Sequence, residues 1–133
     1  MNYVYLVILL ALAQFVFFSI RTGVARGRYG VNAPRTTGNE IWERIFRVQQ
    51  NTMEQLVVFI PGMLMFAYFV SPRWALLPGV LYLIGRQLYS YLYVANPKKR
   101  ESGMALTFLS NIALILGALI GLLMRLRKCS RAT

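Results

Sequence analysis

The stretch that decides the fold is ERIFRVQQNTMEQLVVFIPGMLMFAYFV, which runs from Glu43 to Val70. Its first half is dense in charges and amides, and its second half is apolar. No cluster of turn residues separates the two halves, so we predict a single helix that carries polar side chains into a membrane. Charged side chains are costly in lipid and are usually retained there for function.

Composition places the whole chain in the membrane class. Of its 133 residues, 57% are hydrophobic, which is more than an ordinary soluble domain carries. A membrane-spanning helix needs about 20 mostly apolar residues. Four stretches approach that length: Val4 to Ile20, Arg47 to Val70, Trp74 to Val94 and Met104 to Met124. We therefore predict an all-α membrane protein, a single domain over residues 1–133 built as an antiparallel bundle of four transmembrane helices.

The first stretch has two interpretations, a cleaved signal and a retained helix. Met1 to Tyr3 lacks the basic residues of a signal peptide, and the apolar run is long for one, so we expect retention. The second and third stretches are separated only by Ser71 to Arg73, which predicts a hairpin. The remaining polar connections, Arg21 to Trp42 and Asn96 to Gly103, then lie on one face of the membrane.

The net charge is strongly positive. Fifteen Lys and Arg residues against 4 Asp and Glu residues give a net charge of +11. In a soluble protein this charge would suggest nucleic acid, but here the membrane explains most of it, and we predict no nucleic-acid partner. The face with the two polar connections is rich in Lys and Arg, which favours a cytoplasmic orientation for it. The basic residues of the tail, from Arg125 to Arg131, oppose that orientation.

The chain contains no His and a single Cys, Cys129. A disulfide within the chain is impossible, and a His-based metal or acid–base site is excluded, so we predict no bound metal. Cys129 lies in the basic tail after the last apolar stretch. An incidental thiol is the simpler interpretation there.

Helical spacing groups the polar side chains of the second and third stretches. On the second, one stripe contains Arg44, Arg47, Asn51 and Glu54, whereas Gln49 and Gln55 point elsewhere. On the third, one stripe contains Tyr82, Arg86, Tyr89 and Tyr93. Singly, these residues have structural interpretations, such as pairing of Glu54 with Arg86 or Arg47. Together they leave an excess of positive charge, which favours a small anionic partner that also carries amide groups.

Several segments resemble the MAPEG superfamily, the membrane-associated proteins of eicosanoid and glutathione metabolism. The run from Glu43 to Glu54 is similar to the family signature, and Ala25 to Gly38 resembles the family's first loop. Gly85 to Tyr89, Tyr93 and Lys98 to Arg100 continue the match in order. The similarity spans Ala25 to Gly103 and is closest to the microsomal glutathione S-transferase and leukotriene-C synthase branch.

This resemblance implies a four-helix subunit that assembles as a homotrimer, with glutathione held between subunits near the cytosolic face. It implies that one subunit contributes the glutathione-binding residues Arg47, Asn51, Glu54, Tyr89 and Tyr93, together with the catalytic residue Arg100, which faces the sulfur. The neighbouring subunit contributes Arg26 and Gln49. Two positions depart from the pattern: Gln55 stands where the transferase branch often has Tyr, and Gly27 where some members carry a second basic residue.

The predicted reaction is attack by a glutathione thiolate on a lipophilic electrophile dissolved in membrane lipid, a detoxification chemistry, or on a lipid hydroperoxide as a peroxidase. Two alternatives remain open. One is a lipid-binding scaffold without catalysis, a branch that tends to lack a match to Arg100. The other is a multidrug exporter driven by protons through Glu54, although such exporters typically place their essential Glu in the first span, which here has no charge between Met1 and Ile20.

Overall fold

A computed structural model of the chain consists of four long helices. It describes residues 1–96, 98 and 101–132, without the side chains of Glu101, Ser102 and Ala132. In chain order the helices are α1 (Asn2–Tyr29), α2 (Glu40–Phe69), α3 (Pro72–Ala95) and α4 (Glu101–Ala132). No strand occurs in the described ranges, and the all-α prediction is confirmed.

The first helix extends further than the sequence pattern predicts. The apolar run ends at Ile20, but α1 continues to Tyr29 and stops at Gly30, which has a φ of 70° and donates its N–H to the Arg26 carbonyl. Glycine adopts this left-handed conformation without steric cost. The predicted loop is therefore wrong for residues 21–29, because isolated glycines within that segment weaken a helix without ending it.

The second helix is the continuous helix predicted from Glu43 to Val70. At its start, the Asn39 side chain accepts a hydrogen bond from the Trp42 backbone N–H at 3.0 Å, and Glu40 and Glu43 occupy the first turn. Such a cap and such charges stabilise a helix N-terminus. The helix then runs through Pro61 to Phe69, so its polar and apolar halves are joined without interruption.

The second and third helices form the predicted hairpin. The connection is shorter than Ser71 to Arg73, because α3 begins at Pro72 and only Val70 and Ser71 separate the two helices. Proline is favoured in the first turn of a helix, because the backbone N–H groups there have no hydrogen-bond partner within the helix and proline lacks this group.

The α2 and α3 helices lie at the centre of the bundle, where each packs against α1, α4 and the other. Glycines allow α3 and α4 to approach closely. A Cβ atom at Gly85 would lie 2.9 Å from Leu106 Cβ, and one at Gly103 would lie 2.4 Å from the Tyr89 backbone nitrogen. Small residues at helix crossings are the usual means of close packing in membranes.

The outer surface of the bundle is suited to lipid. The α1, α2 and α4 helices are each long and apolar enough to cross a membrane, and they expose large apolar side chains such as Leu9 and Leu119. The α3 helix carries Arg86, which is buried inside the bundle. The predicted four-helix membrane bundle is confirmed, whereas the homotrimer stays a prediction.

The antiparallel arrangement divides the bundle into two halves. One half contains residues 15–29, 40–55, 85–96 and 101–109, and we call it the Asn51 half. The other contains residues 2–14, 56–84 and 110–132, with the α2–α3 connection at its end, and we call it the Ser71 half.

Candidate functional site

The described residues of the predicted site all lie in the Asn51 half. Arg26 occupies the last turn of α1 rather than a loop. The others are on two helices: Arg47, Gln49, Asn51 and Glu54 on α2, and Tyr89 and Tyr93 on α3. Arg100, the predicted catalytic residue, lies outside the described residues.

The central contact of this half joins α2 to α3. The Arg86 guanidinium donates from Nη1 to Oδ1 of Asn51 at 2.7 Å. Arg86 is 0% exposed, and its Nε and Nη2 atoms have no hydrogen-bond partner among the described residues. The bundle therefore holds a buried cation next to a predicted ligand-binding amide.

One tyrosine of the predicted α3 stripe packs against this cation and stacks on a second tyrosine. The Arg86 Cζ atom lies 4.5 Å from the centre of the Tyr89 ring, and Tyr89 stacks on Tyr93 with ring centres 5.3 Å apart. Gly103 brings the start of α4 against the Tyr89 backbone. The site thus combines an amide, a cation and two stacked phenols near the point where α4 begins.

Arg47 and Glu54 lie on the exposed face of α2. In the described part of the chain, the ion pair found joins Arg44 to Glu40 at 2.6 Å. The interpretation in which Glu54 pairs with Arg47 or Arg86 is therefore wrong within one protomer. Both exposed side chains can therefore face another molecule. A charged group on a membrane helix is costly in contact with lipid, so a polar neighbour is expected at this face.

Arg26 and Gln49 make their contacts on the α1 side of the bundle. The Arg26 guanidinium lies 4.4 Å from the Trp42 ring centre and donates to the Arg35 carbonyl at 2.7 Å. Gln49 Nε2 donates to Ser19 Oγ at 3.2 Å. Residues two apart on a helix point about 200° apart, so Gln49 and Asn51 face different neighbours within the bundle. Their predicted division between two subunits stays a prediction.

Sequence reasoning missed two features of this region. Arg86 belongs to the predicted α3 stripe but was not expected to bind Asn51; an arginine within an apolar helix is the signal that points to it. Gln55 accepts a hydrogen bond from Asn111 Nδ2 at 2.8 Å, and Asn111 on α4 is only 3% exposed. Gln55 is therefore turned toward α4 inside the bundle.

An apolar groove begins where the polar part of α2 ends. It has a volume of about 410 Å³ and runs between α2 and α4, from Val57 and Val58 past Pro61 to Leu119 and Leu122. Val57 and Val58 come one turn after Glu54 on the same helix. The polar side chains of α2 therefore lie beside an apolar groove, and this combination suits a reaction between one polar and one lipophilic molecule.

Comparisons with known proteins agree with the sequence resemblance. The sequence pattern of the MAPEG family matches residues 3–120. An uncharacterized protein of Synechocystis is 44% identical over 126 residues, covering 95% of this chain and 92% of that protein. Human microsomal glutathione S-transferase 2 is 37% identical over 113 residues, covering 84% of this chain and 76% of the human protein. Bovine leukotriene C4 synthase is 30% identical over 117 residues, covering 88% and 78%.

Proposed function

This chain belongs to the MAPEG family, and we propose that it is a membrane-bound glutathione transferase that conjugates glutathione to lipophilic electrophiles. The observation that carries this proposal is the buried Arg86–Asn51 contact at 2.7 Å, beside the stacked tyrosines and the apolar groove. Its relatives include proteins named for glutathione transfer and for leukotriene C4 synthesis.

The polar groups of the site match the charges of glutathione, which carries carboxylates, amides and an ammonium group. Arg47 is suited to a carboxylate, because a guanidinium donates two parallel hydrogen bonds to it. Glu54 is suited to the ammonium group, and Asn51 to an amide or a carboxylate. Tyr89 and Tyr93 provide one wall against which the peptide packs.

In the proposed mechanism, Arg100 activates the thiol. A free thiol with a pKa of about 8.5 is only about 3% thiolate at pH 7. A guanidinium against the sulfur would favour the thiolate, and lowering the pKa by about two pH units would raise its fraction at most about thirtyfold. Supporting this role, Gly103, three residues after Arg100 in the chain, lies against Tyr89.

The electrophile would reach the thiolate through the apolar groove. The sulfur attacks the electrophilic carbon and forms a new carbon–sulfur bond, while the leaving group departs or the adjacent atom takes the electron pair and then a proton. Holding the two reactants together supplies the rest of the acceleration. With a lipid hydroperoxide, two glutathione thiols would instead form a disulfide, and the hydroperoxide would leave as an alcohol and water.

We propose that the site is completed by a homotrimer. The exposed Arg47 and Glu54 on α2 need a polar neighbour in the membrane, and Arg26 and Gln49 lie on the α1 side, where they could serve a neighbouring copy. Native mass spectrometry of the detergent-solubilised protein should give the mass of three chains. A monomer would leave Arg47 and Glu54 without this neighbour and would contradict the proposed assembly.

We also propose that the Asn51 half faces the cytoplasm. Most of the positive charge outside the tail lies at this end of the bundle, which is the usual orientation of membrane proteins. Cys129 is an exposed thiol in the tail, so it is first replaced by Ser. Labelling of a Cys introduced at the exposed Arg35 in this Cys129→Ser protein should then occur from the cytoplasmic side only, and labelling from the opposite side would reverse the orientation.

The proposed activity is tested by glutathione-dependent conjugation of a chromogenic electrophile with detergent-solubilised protein. We expect Arg100→Ala to lower kcat about tenfold to thirtyfold, since the thiolate fraction limits the reaction, while glutathione still binds in a calorimetric titration. The midpoint of the rate–pH profile should move up toward the ordinary thiol value. Arg125→Ala, in the Ser71 half, is the matched control and should change neither kcat nor the midpoint of the rate–pH profile.

The outcomes separate the candidate functions. Unchanged turnover in Arg100→Ala would remove Arg100 from the mechanism. Absence of conjugation by the wild-type protein would reject the transferase, and binding of fatty acids without turnover would favour the lipid-binding scaffold. Reduction of a lipid hydroperoxide in a parallel assay would add the peroxidase activity.

A further inference from the structure

Arg86 belongs to the contact on which the proposed function rests, but the proposed mechanism assigns this charged group no role of its own. It lies on α3 and is 0% exposed, with the buried Tyr82 and Tyr89 one turn before and after it. No ion pair joins it to any carboxylate among the described residues. A buried cation without a counter-ion is costly, so its presence at this position calls for an explanation.

The hydrogen bond to Asn51 determines what the site offers to a ligand. Because Asn51 Oδ1 accepts from Arg86 Nη1, the carboxamide is held in one orientation, with its NH₂ group on the other side. Asn51 is half-buried, so this NH₂ group is the part left to bind another molecule. Its two N–H donors suit a carboxylate or carbonyl oxygen and cannot bind an ammonium group.

The guanidinium itself is held rigidly. Its Cζ atom lies over the Tyr89 ring at 4.5 Å, and Gly85 beside it allows α4 to pack with Leu106 against α3. Since Arg86 is fully buried, it can act on a ligand through Asn51 and through its charge, but not by direct contact. Its unpartnered Nε and Nη2 leave that charge uncompensated by the described residues.

We propose that Arg86 is a positioning residue that locks the Asn51 carboxamide with its N–H donors toward the ligand and places a positive charge behind it. The pair would then select an anionic oxygen, which for glutathione is one of its carboxylates. This inference rests on the proposed function and extends it by naming the group of glutathione that Asn51 binds.

A double-mutant cycle on the full-length, detergent-solubilised protein tests the proposal. Glutathione dissociation constants are measured by calorimetry for wild type, Arg86→Met, Asn51→Ala and the double variant. We expect Arg86→Met to weaken binding about tenfold in the wild-type background and about threefold when Asn51 is already Ala, since only the charge of Arg86 then still acts on the ligand. Equal losses in both backgrounds would overturn the proposal, because Arg86 would then act independently of Asn51.

Two further measurements separate positioning from a merely structural role. The affinity difference between wild type and Arg86→Met should shrink for a glutathione ester whose carboxylates are blocked, and Arg86→Met should raise KM with little change in kcat. A difference that persists for the ester would contradict selection of a carboxylate. Tyr82→Phe, which removes a buried hydroxyl without a described partner, is the matched control and should bind glutathione like wild type.

Two other outcomes are distinguishable: an Arg86→Met variant that does not fold, and a wild-type protein that does not bind glutathione. If Arg86→Met does not fold, Arg86→Gln, which keeps an N–H donor without the charge, takes its place in the cycle; full binding by that variant would overturn the role of the charge. If the wild-type protein itself does not bind glutathione, the proposed function fails. If wild type binds and the cycle is additive, only this inference fails.

Discussion

The two halves of the bundle are built from the same four helices but are stabilised differently. In the Ser71 half the interior is mostly apolar beyond the buried Asn111 at its boundary: Phe59 stacks on Tyr82 with ring centres 3.8 Å apart, and Met63 is fully buried. In the Asn51 half the interior holds the Arg86–Asn51 contact. Because lipid removes the hydrophobic driving force between helices, close packing stabilises the first half. The polar interior of the second is costly, and the proposed glutathione site accounts for it.

The largest loss of stability is expected from a substitution at Phe59, in the core of the Ser71 half. We expect Phe59→Ala to destabilise the folded protein by about 3–5 kcal/mol, because the truncation leaves a cavity beside Tyr82. Resistance to unfolding by a denaturing detergent measures this loss. The surviving folded protein should bind glutathione with wild-type affinity, and Leu64→Ala, at a more exposed position of α2, should cost much less. Weakened glutathione binding in Phe59→Ala would show that the two halves are coupled.

The next largest effect on stability is expected at Gly103, because the Asn51 half also depends on close packing at this position. A Cβ atom at Gly103 would lie 2.4 Å from the Tyr89 nitrogen, a backbone atom that cannot move aside. We expect Gly103→Ala to destabilise the protein by about 1–3 kcal/mol through overpacking, and to weaken glutathione binding because Tyr89 is displaced. Thermal unfolding in detergent measures the loss of stability, and calorimetric titration measures the loss of glutathione affinity.

A glycine in the Ser71 half is the control for this prediction. At Gly62 an added Cβ would meet Leu114 Cβ at 3.4 Å, an ordinary contact with a side chain. Gly62→Ala should therefore leave glutathione binding unchanged and alter stability by less than about 1 kcal/mol. If Gly103→Ala behaves in the same way, α4 does not hold Tyr89 in place.

The sequence predicts the elements of this fold better than the contacts between them. Apolar runs and the short connection at Ser71 were sufficient for four helices and a hairpin, because helix length and loop length follow from local composition. The end of α1 was missed, since Arg21 to Tyr29 is polar enough to be mistaken for a loop, although Gly30 marks the true end.

The contacts among the predicted site residues could not be derived from the sequence. Spacing placed Asn51 and Glu54 on one stripe of α2, but it could not say that Asn51 meets Arg86 on α3 while Glu54 stays exposed. That division depends on how α3 is rotated against α2, which is set by packing along the whole helix pair. The role of Arg100, outside the described residues, stays a prediction.

The smallest predicted effect lies at the boundary between the two halves, where Gln55 on α2 accepts a hydrogen bond from Asn111 on α4 at 2.8 Å. Interhelical hydrogen bonds in membranes contribute about 0.6 kcal/mol on average, so we expect Asn111→Leu to cost about that much in unfolding measurements. Replacing both amides, as Gln55→Leu with Asn111→Leu, should cost less than the single change, since no polar atom is then left unpaired. Because Gln55 is turned toward α4, neither variant should alter glutathione affinity. A loss of affinity in Gln55→Leu would mean that Gln55 binds the ligand, and the polar half would then extend one turn further along α2.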